Sequence, residues 1–193
     1  MTPVTPVTDV EARLRGFDPA VRRPSLPDSD VCYTVTDTPV GPLVLAATPE
    51  AVVACSYEGE EAVAQRLADA VSPRVVRAGG RLDPLRRELD AYFEGTLRRF
   101  TVPATPVLAS PFTRDVLAAL RRTPYGATTT YGAVARAIGR PTAARAVGRA
   151  LNANPLCIVL PCHRVIGASG ALTGYGGGLE AKRLLLGLEA ANR

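Results

Sequence analysis

"TTYGAVARAIG" (129–139), followed directly by "RPTAARAVGRALNAN" (140–154), sets the reading of the C-terminal half. The first piece has the pattern of a short helix, with Thr130 placed to cap it and Gly139 to stop it. The second gives another helix, with Pro141 or Thr142 at its start. Two short helices joined by "IGRPT" have the form of a helix-turn-helix. Upstream, "SPFTRDVLAALRRTPYG" (110–126) predicts a longer helix with Phe112, Val116, Leu117 and Leu120 inward, ended by Pro124.

The second short helix carries the more specific signal. Helices that read base sequence present Asn, Gln, Glu, Arg or Lys to base edges. This one offers Ala143, Ala144, Arg145, Ala146, Gly148 and Arg149, so its long polar side chains are two arginines one turn apart. Small residues around an arginine permit close backbone approach and a wedge, with little sequence readout. The residues allow two readings: a DNA binder indifferent to sequence, or a small-residue core helix with two solvated arginines.

Charge bears on that choice. Residues 1–100 hold 12 Lys and Arg against 15 Asp and Glu, whereas residues 101–193 hold 11 against 3. The halves therefore carry −3 and +8, an asymmetry that points toward nucleic acid. A base-composition bias explains Arg over Lys, for Lys182 is the single lysine, but it does not explain where the acids are missing.

The N-terminal half reads differently. Residues 1–30, with five prolines and little periodicity, form a poorly ordered arm. "VCYTVTD" (31–37) alternates as a half-buried strand, "TPVG" turns, "PLVLAA" (42–47) returns, and "AVVACSY" (51–57) is a third strand. "GEEAVAQRLADAV" (59–71) is helical and "PRVVRA" (73–78) a short edge strand. "LDPLRRELDAYFEG" (82–95) puts Leu82, Leu85, Leu89, Tyr92 and Phe93 on one helical face and stops at Gly95. The expected class is α+β. A small antiparallel sheet with packed helices spans 31–99, a proline-bearing linker 100–110, and a mostly helical domain 111–193. No segment approaches the ~20 apolar residues that span a bilayer. Four cysteines without an export signal suggest free thiols in the cytoplasm.

"NPLCIVLPCHRVIG" (154–167) holds the chain's single histidine, His163, and two cysteines, Cys157 and Cys162. A zinc site is set aside, because Cys157, Cys162 and one adjacent His cannot complete one. A Cys157–Cys162 disulfide is possible in principle but disfavoured in a reducing compartment. On a strand, neighbours point to opposite faces, so His163 would need a bridging water or a turn at Pro161 to reach Cys162. A buried, inert cysteine at a strand end is the alternative. Against it stands the polar turn "HRVIGASG" right after the apolar "CIVL", a setting suited to a pocket.

"IVLPCHRVIG" resembles the active-site segment of the O6-alkylguanine-DNA alkyltransferases, the methylated-DNA–protein-cysteine methyltransferases. "GALTGYGGGLEAKRLLLGLE" is similar to that family's active-site loop and closing helix, and weaker likeness extends the match over 31–190. The resemblance implies a ribonuclease H-like N-terminal domain and a winged helix-turn-helix domain carrying the site. It implies direct, stoichiometric transfer of an alkyl group from O6 of guanine, and from O4 of thymine, to Cys162. Neither cofactor nor metal would be needed. His163 would take the proton through a water and Glu189 would orient the imidazole, a triad with a water inserted. Asn154 would order the turn around the nucleophile. Tyr131 would donate to N3 of the base. Backbone groups of Cys162 and Val165 would read the base edge, with Tyr175 and Gly176 in the pocket wall. Arg145 would enter the base stack of double-stranded DNA from the minor groove while the lesion is flipped out. The protein would act as a monomer, with cooperative loading on DNA an open matter. Gly176 departs from relatives that carry a serine there, leaving its backbone N–H alone to face O6. A non-catalytic lesion-binding protein is the alternative function, and Cys162 with His163 and Glu189 argues against it.

Overall fold

The structure, a computed structural model, describes residues 30–193, so the expected N-terminal arm lies outside the described residues but for Asp30. Strand β1 (Val31–Thr36) pairs antiparallel with β2 (Leu43–Ala47), and β2 with β3 (Val52–Ser56). The turn between β1 and β2 closes through Gly41 N–H to the Thr38 carbonyl, 2.9 Å, with Gly41 at φ +96°. The expected alternation in β1 holds. Val31, Tyr33 and Val35 belong to one cluster, while Thr34 and Thr36 accept from Arg86 on the other face.

After β3 come helix α1 (Glu60–Ala70) and β4 (Val75–Arg77), which joins the sheet at the β1 edge in the order β3-β2-β1-β4. The edge position is as expected, but β4 runs parallel to β1, so the sheet is mixed rather than antiparallel. The intervening helix is the reason: a strand–helix–strand crossover returns the chain in the direction it left. Helix α1 covers one face through Val63 and Leu67. Helix α2 (Asp83–Phe93) and the C-terminal half cover the other, with Leu85, Leu89 and Tyr92 in a core shared with Leu117, Val147 and Leu185. Burial on both faces explains why β2 and β3 are buried throughout, and apolar but for Ser56, instead of alternating.

Residues 100–110 are fastened along β3: Val52 N–H donates to the Pro103 carbonyl and Thr105 N–H to that of Val52, at 2.8 and 2.9 Å. Helix α3 (Pro111–Leu120) starts at Ser110, whose side chain accepts from Thr113 N–H. It ends at Leu120, earlier than the sequence suggested. Pro124 has no N–H to offer the Leu120 carbonyl, which accepts instead from Thr123 at 2.9 Å and tightens the chain into a turn.

The two-residue β5 (Thr129–Thr130) leads into α4 (Tyr131–Ala137), capped by Thr130 and followed by Gly139 at φ +71° as expected. Helix α5 (Ala144–Asn152) begins later than Pro141 or Thr142. Ala143 N–H donates to the Arg140 carbonyl at 2.9 Å, closing a turn with Pro141 at its second position, where a fixed φ suits it. Strand β6 (Val165–Ile166) pairs parallel with β5, and α6 (Gly178–Ala191) closes the chain. Its buried Ala181, Lys182, Leu185 and Glu189 recur at helical spacing on one face. Among the described residues, no helix is long and apolar enough to cross a membrane.

Because α3 anchors the shared core, Leu117→Ala should lower the unfolding free energy by about 2–5 kcal/mol in a urea titration. Val107→Ala, at a side chain 41% exposed, should change it by less than about 0.5 kcal/mol. Equal small effects would mean that α3 does not hold the two halves together.

Candidate active site

The segment 155–164 is not a strand, contrary to the sequence expectation. Its start adds to the free edge of β3: Cys55 N–H donates to the Pro155 carbonyl at 2.7 Å, and Cys157 N–H to that of Cys55 at 2.8 Å. The chain then reverses through Ile158 at φ +70°, with Leu160 N–H on the Leu156 carbonyl, and Cys162–Arg164 form one turn of 3-10 helix. Cys162 and His163 are therefore not on opposite faces of a ribbon. A 3-10 turn places successive side chains about a third of a turn apart.

Asn154 builds the surroundings of the Cys162 thiol. Its side-chain oxygen accepts from Leu156 N–H at 3.0 Å, so its NH2 group must point the other way, to the Leu160 carbonyl (3.0 Å) and Cys162 Sγ (3.1 Å). The Cys162 thiol is shifted below its ordinary value. A hydrogen bond from Cys157 is the main cause, followed among the lowering influences by the Asn154 N–H and the charge of Lys182, against a burial that works the other way. Lys182 is itself buried, donating to the carbonyls of Val165 (2.6 Å) and Thr173 (2.8 Å). Loss of solvation pulls its pKa down.

The Glu189 carboxylate lies fully buried behind His163. Oε1 takes hydrogen bonds from His163 Nε2, Tyr92 Oη and Arg164 Nη2, each at 2.8 Å, and Oε2 from Arg164 Nε (2.9 Å) and Gly126 N–H (3.0 Å). Burial works to raise its pKa, but His163 and Arg164 outweigh that and hold it at about 2. A carboxylate only accepts, so Nε2 carries the imidazole proton and Nδ1 is left a buried acceptor without a protein partner. Burial also pushes the His163 pKa down, which keeps the ring neutral and able to take a proton.

Cys162, His163, Glu189, Asn154, Val165 and Tyr175 thus converge in one buried cluster. The Val165 N–H is already bonded to the Cys162 carbonyl, and its own carbonyl to Lys182, so of these the carbonyls keep a spare lone pair. Tyr175 meets the His163 ring edge-on and places its hydroxyl 3.3 Å from that of Tyr57. The loop after it packs on the same tyrosine: a Cβ at Gly177 would lie 2.5 Å from the Tyr57 ring, so any side chain there would have to displace that ring. Gly176 lies just at contact range of Tyr57.

A second group of expected residues lines an open groove of about 510 Å³. Tyr131, Ala144, Arg145, Gly148 and Arg149 share it with Asn152, Thr173 and Gly174, and both arginines are exposed. The Tyr131 ring packs along the bare Cα of Gly148, and its hydroxyl accepts from Thr173 Oγ1 at 2.9 Å, leaving its own proton free to donate. Ala146 is not in this groove; it faces Phe112 and Thr113 on the α3 side of α5. Ala143 sits at the N-terminal end of α5. Among the described residues, no three His, Cys, Asp or Glu side chains are grouped to hold a metal ion.

Residues 31–106 match the ribonuclease-like domain of 6-O-methylguanine DNA methyltransferase, and residues 111–191 match its DNA binding domain. The chain belongs to the 6-O-methylguanine DNA methyltransferase family. It is 40% identical over 160 residues to the methylated-DNA–protein-cysteine methyltransferase of Methanosarcina acetivorans, covering 82% of this chain and 98% of that one. The Mycobacterium tuberculosis protein of the same name is 43% identical over 157 residues, 81% of this chain and 91% of its own. The crystal structure of M. tuberculosis OGT in complex with DNA superposes with a TM-score of 0.71 at 40% identity, covering 83% of this chain and 94% of that chain.

Four residues of the site went unread in the sequence. Tyr57 and Tyr92 come from the N-terminal half, where they pattern as ordinary core aromatics. Arg164 lies beside His163 but looked like part of a polar turn. Lys182 had a signal, being the one lysine of the chain and set on the apolar face of a helix, that a compositional bias obscured.

The depressed Glu189 pKa implies stability that is complete above the carboxylate's ordinary 4.5 and is lost as pH falls toward about 2. Glu189→Gln should therefore cost about 3–5 kcal/mol near neutral pH, where it leaves Arg164 without its anion. That gap should narrow in urea titrations taken from pH 5 down to pH 2–3, since the other carboxylates titrate alike in both proteins. A gap that stays constant with pH would show that Glu189 is not held ionised by these partners.

Proposed function

We propose that this protein repairs alkylated DNA by moving an alkyl group from O6 of guanine onto Cys162, one transfer per molecule. The observation that carries the reading is the Asn154–Cys162 and His163–Glu189 hydrogen-bonded arrangement within the family's fold. The Cys162 thiol gives its proton through a water to His163 Nδ1, the one imidazole atom without a protein partner. The imidazolium so formed is stabilised by the carboxylate already bonded to Nε2. The thiolate attacks the alkyl carbon, the carbon–O6 bond breaks, and the electrons pass to the guanine ring. Tyr131 donates its free proton toward N3, making guanine a better leaving group. The product thioether has no route back to thiolate, so the protein is consumed.

A guanine inside a duplex hides its O6, so the base must leave the stack. Arg145, one of two exposed arginines on α5, enters the gap from the minor groove, while Ala144 and Gly148 let the helix backbone come close. Thr173 links the two sites, donating to Tyr131 in the groove while its carbonyl accepts from Lys182 in the interior. Ala143 and Arg149 would lie against the sugar-phosphate backbone. The net charge of +8 over residues 101–193 favours duplex binding without choice of sequence. O4-alkylthymine, which offers a similar alkyl ether, would be a second substrate, acted on by a monomer. A lesion binder without chemistry would have no use for a thiol held below its ordinary pKa beside a neutral histidine.

Two substitutions test this together. Cys162→Ser should retain binding to a duplex carrying O6-methylguanine and transfer no radiolabelled methyl group. Arg145→Ala should slow repair of the duplex at least about tenfold while leaving reaction with free O6-benzylguanine within about twofold, since only the duplex requires flipping. Methyl transfer surviving in the first variant, or equal losses on both substrates in the second, would overturn the respective roles.

A further inference from the structure

Cys157 lies against the active-site thiol, yet the alkyl-transfer chemistry makes no covalent use of it. Both sulfurs meet one residue: Cys157 Sγ lies 3.4 Å from the Asn154 carbonyl, and Cys162 Sγ accepts from the Asn154 amide at 3.1 Å. Five residues of extended chain would carry them about 17 Å apart. The reversal at Ile158 and the Leu160–Leu156 hydrogen bond fold that distance away and bring both sulfurs onto Asn154, one at its carbonyl and one at its amide. The Cys157 backbone is pinned to Cys55 on β3, so the pair is a fixed feature of the fold. The two thiols are not equivalent. Cys162 is shifted toward thiolate, while Cys157 is shifted away from it by its hydrogen bond to Cys162 and by burial. Cys55, the third thiol nearby, is pushed up to about 12 by burial and the charge of Cys162. One reactive thiolate beside one protonated thiol is the arrangement in which a sulfenic acid is captured rather than over-oxidised.

We infer that Cys157 is a resolving thiol for Cys162, so that a hydroperoxide reaching the active site yields a reversible Cys157–Cys162 disulfide instead of a destroyed nucleophile. The inference rests on reading Cys162 as the reactive thiolate. In the first step the Cys162 sulfur attacks one oxygen of hydrogen peroxide. The O–O bond breaks, and hydroxide leaves and takes up the proton that Cys162 had given up, as water. Cys162 is then a sulfenic acid, oxidised by two electrons, and peroxide is reduced. In the second step the Cys157 sulfur attacks the Cys162 sulfur, the S–O bond breaks, and the hydroxyl leaves with the Cys157 proton as a second water. The oxidant enters by the route that admits the base, as Cys162 is otherwise only 4% exposed. A thiol reductant reverses the bond, so alkyl transfer is suspended rather than lost.

Trypsin places both cysteines on one peptide, residues 150–164, which makes the bond directly readable. The full chain is treated with hydrogen peroxide, digested without reductant and mapped by mass. That peptide should lose about 2 Da, refuse iodoacetamide at both cysteines, and regain both thiols in dithiothreitol. In Cys157→Ser, and separately in Cys157→Ala, the peptide should instead gain about 32 Da at Cys162. Methyl transfer, normalised to each protein's own untreated titre, should recover with dithiothreitol in the parent and not in the variants. A parent peptide that gains oxygen at Cys162 with no disulfide form, or variants that recover as fully as the parent, would overturn the inference. The peptide readout does not depend on alkyl transfer, so its failure in a protein that still accepts methyl groups would leave the repair function standing.

Discussion

A carboxylate with no exposed surface organises this molecule. Glu189 cannot be solvated where it sits, and a bare buried charge would be prohibitive, so its surroundings must supply donors. They come from distant parts of the chain: Tyr92 from α2, Gly126 from the turn before β5, and His163 and Arg164 from the 3-10 turn. Satisfying one charge thus fixes the closing helix, the active-site turn and the N-terminal half relative to one another. Gly126 shows how tight the fit is. With φ at +73°, a Cβ there would meet the Glu189 backbone carbonyl at 3.1 Å and the Arg193 side chain at 2.8 Å.

The same network separates two tasks. Inside, the histidine is kept neutral and the thiol is biased toward thiolate, both by contacts present before any substrate arrives, which is preorganisation in the electrostatic sense. Outside, α5 keeps its arginines in solvent, with Ala144 and Gly148 against the groove. Lys182 and Thr173 are the physical connection between the two, since one side chain spans β6 and the loop whose threonine holds Tyr131. The N-terminal half contributes by docking. The outer edge of β3 receives Pro155–Cys157, and Tyr57 presses on the glycine loop, so the N-terminal half sets the position of the segment that carries Cys162 and His163.

Much of this was legible in the sequence, for reasons particular to each element. Strands β1 to β4 and α2 followed from apolar runs and turn or stop signals that tertiary packing did not override, and the cap at Thr130 from local chemistry alone, whereas the two-residue β5 and β6 went unread. The β4 direction was misread, although the helix before it was read: a strand–helix–strand crossover returns the chain in the direction it left. The stop of α3 at Pro124 was read, but its effect reaches back to Leu120, whose carbonyl Pro124 cannot serve. The apolar "CIVL" looked like a strand since hydrophobic runs do not reveal a residue with positive φ; Ile158 adopts it because the β3 edge and Asn154 together demand the reversal. Cys162, His163 and Glu189 were named from resemblance. What resemblance did not name was the support: Arg164, Lys182, Tyr92 and Tyr57 act through contacts between segments far apart in the chain.

The central claim is that the thiol held by Asn154 is the acceptor of the alkyl group. The most direct measurement is the intact mass of the protein after incubation with a duplex carrying one O6-methylguanine, followed by peptide mapping. One methyl group on Cys162, with ordinary guanine restored in the DNA, is the predicted result. Tight duplex binding with no change of mass, or a methyl group on a different cysteine, would contradict it.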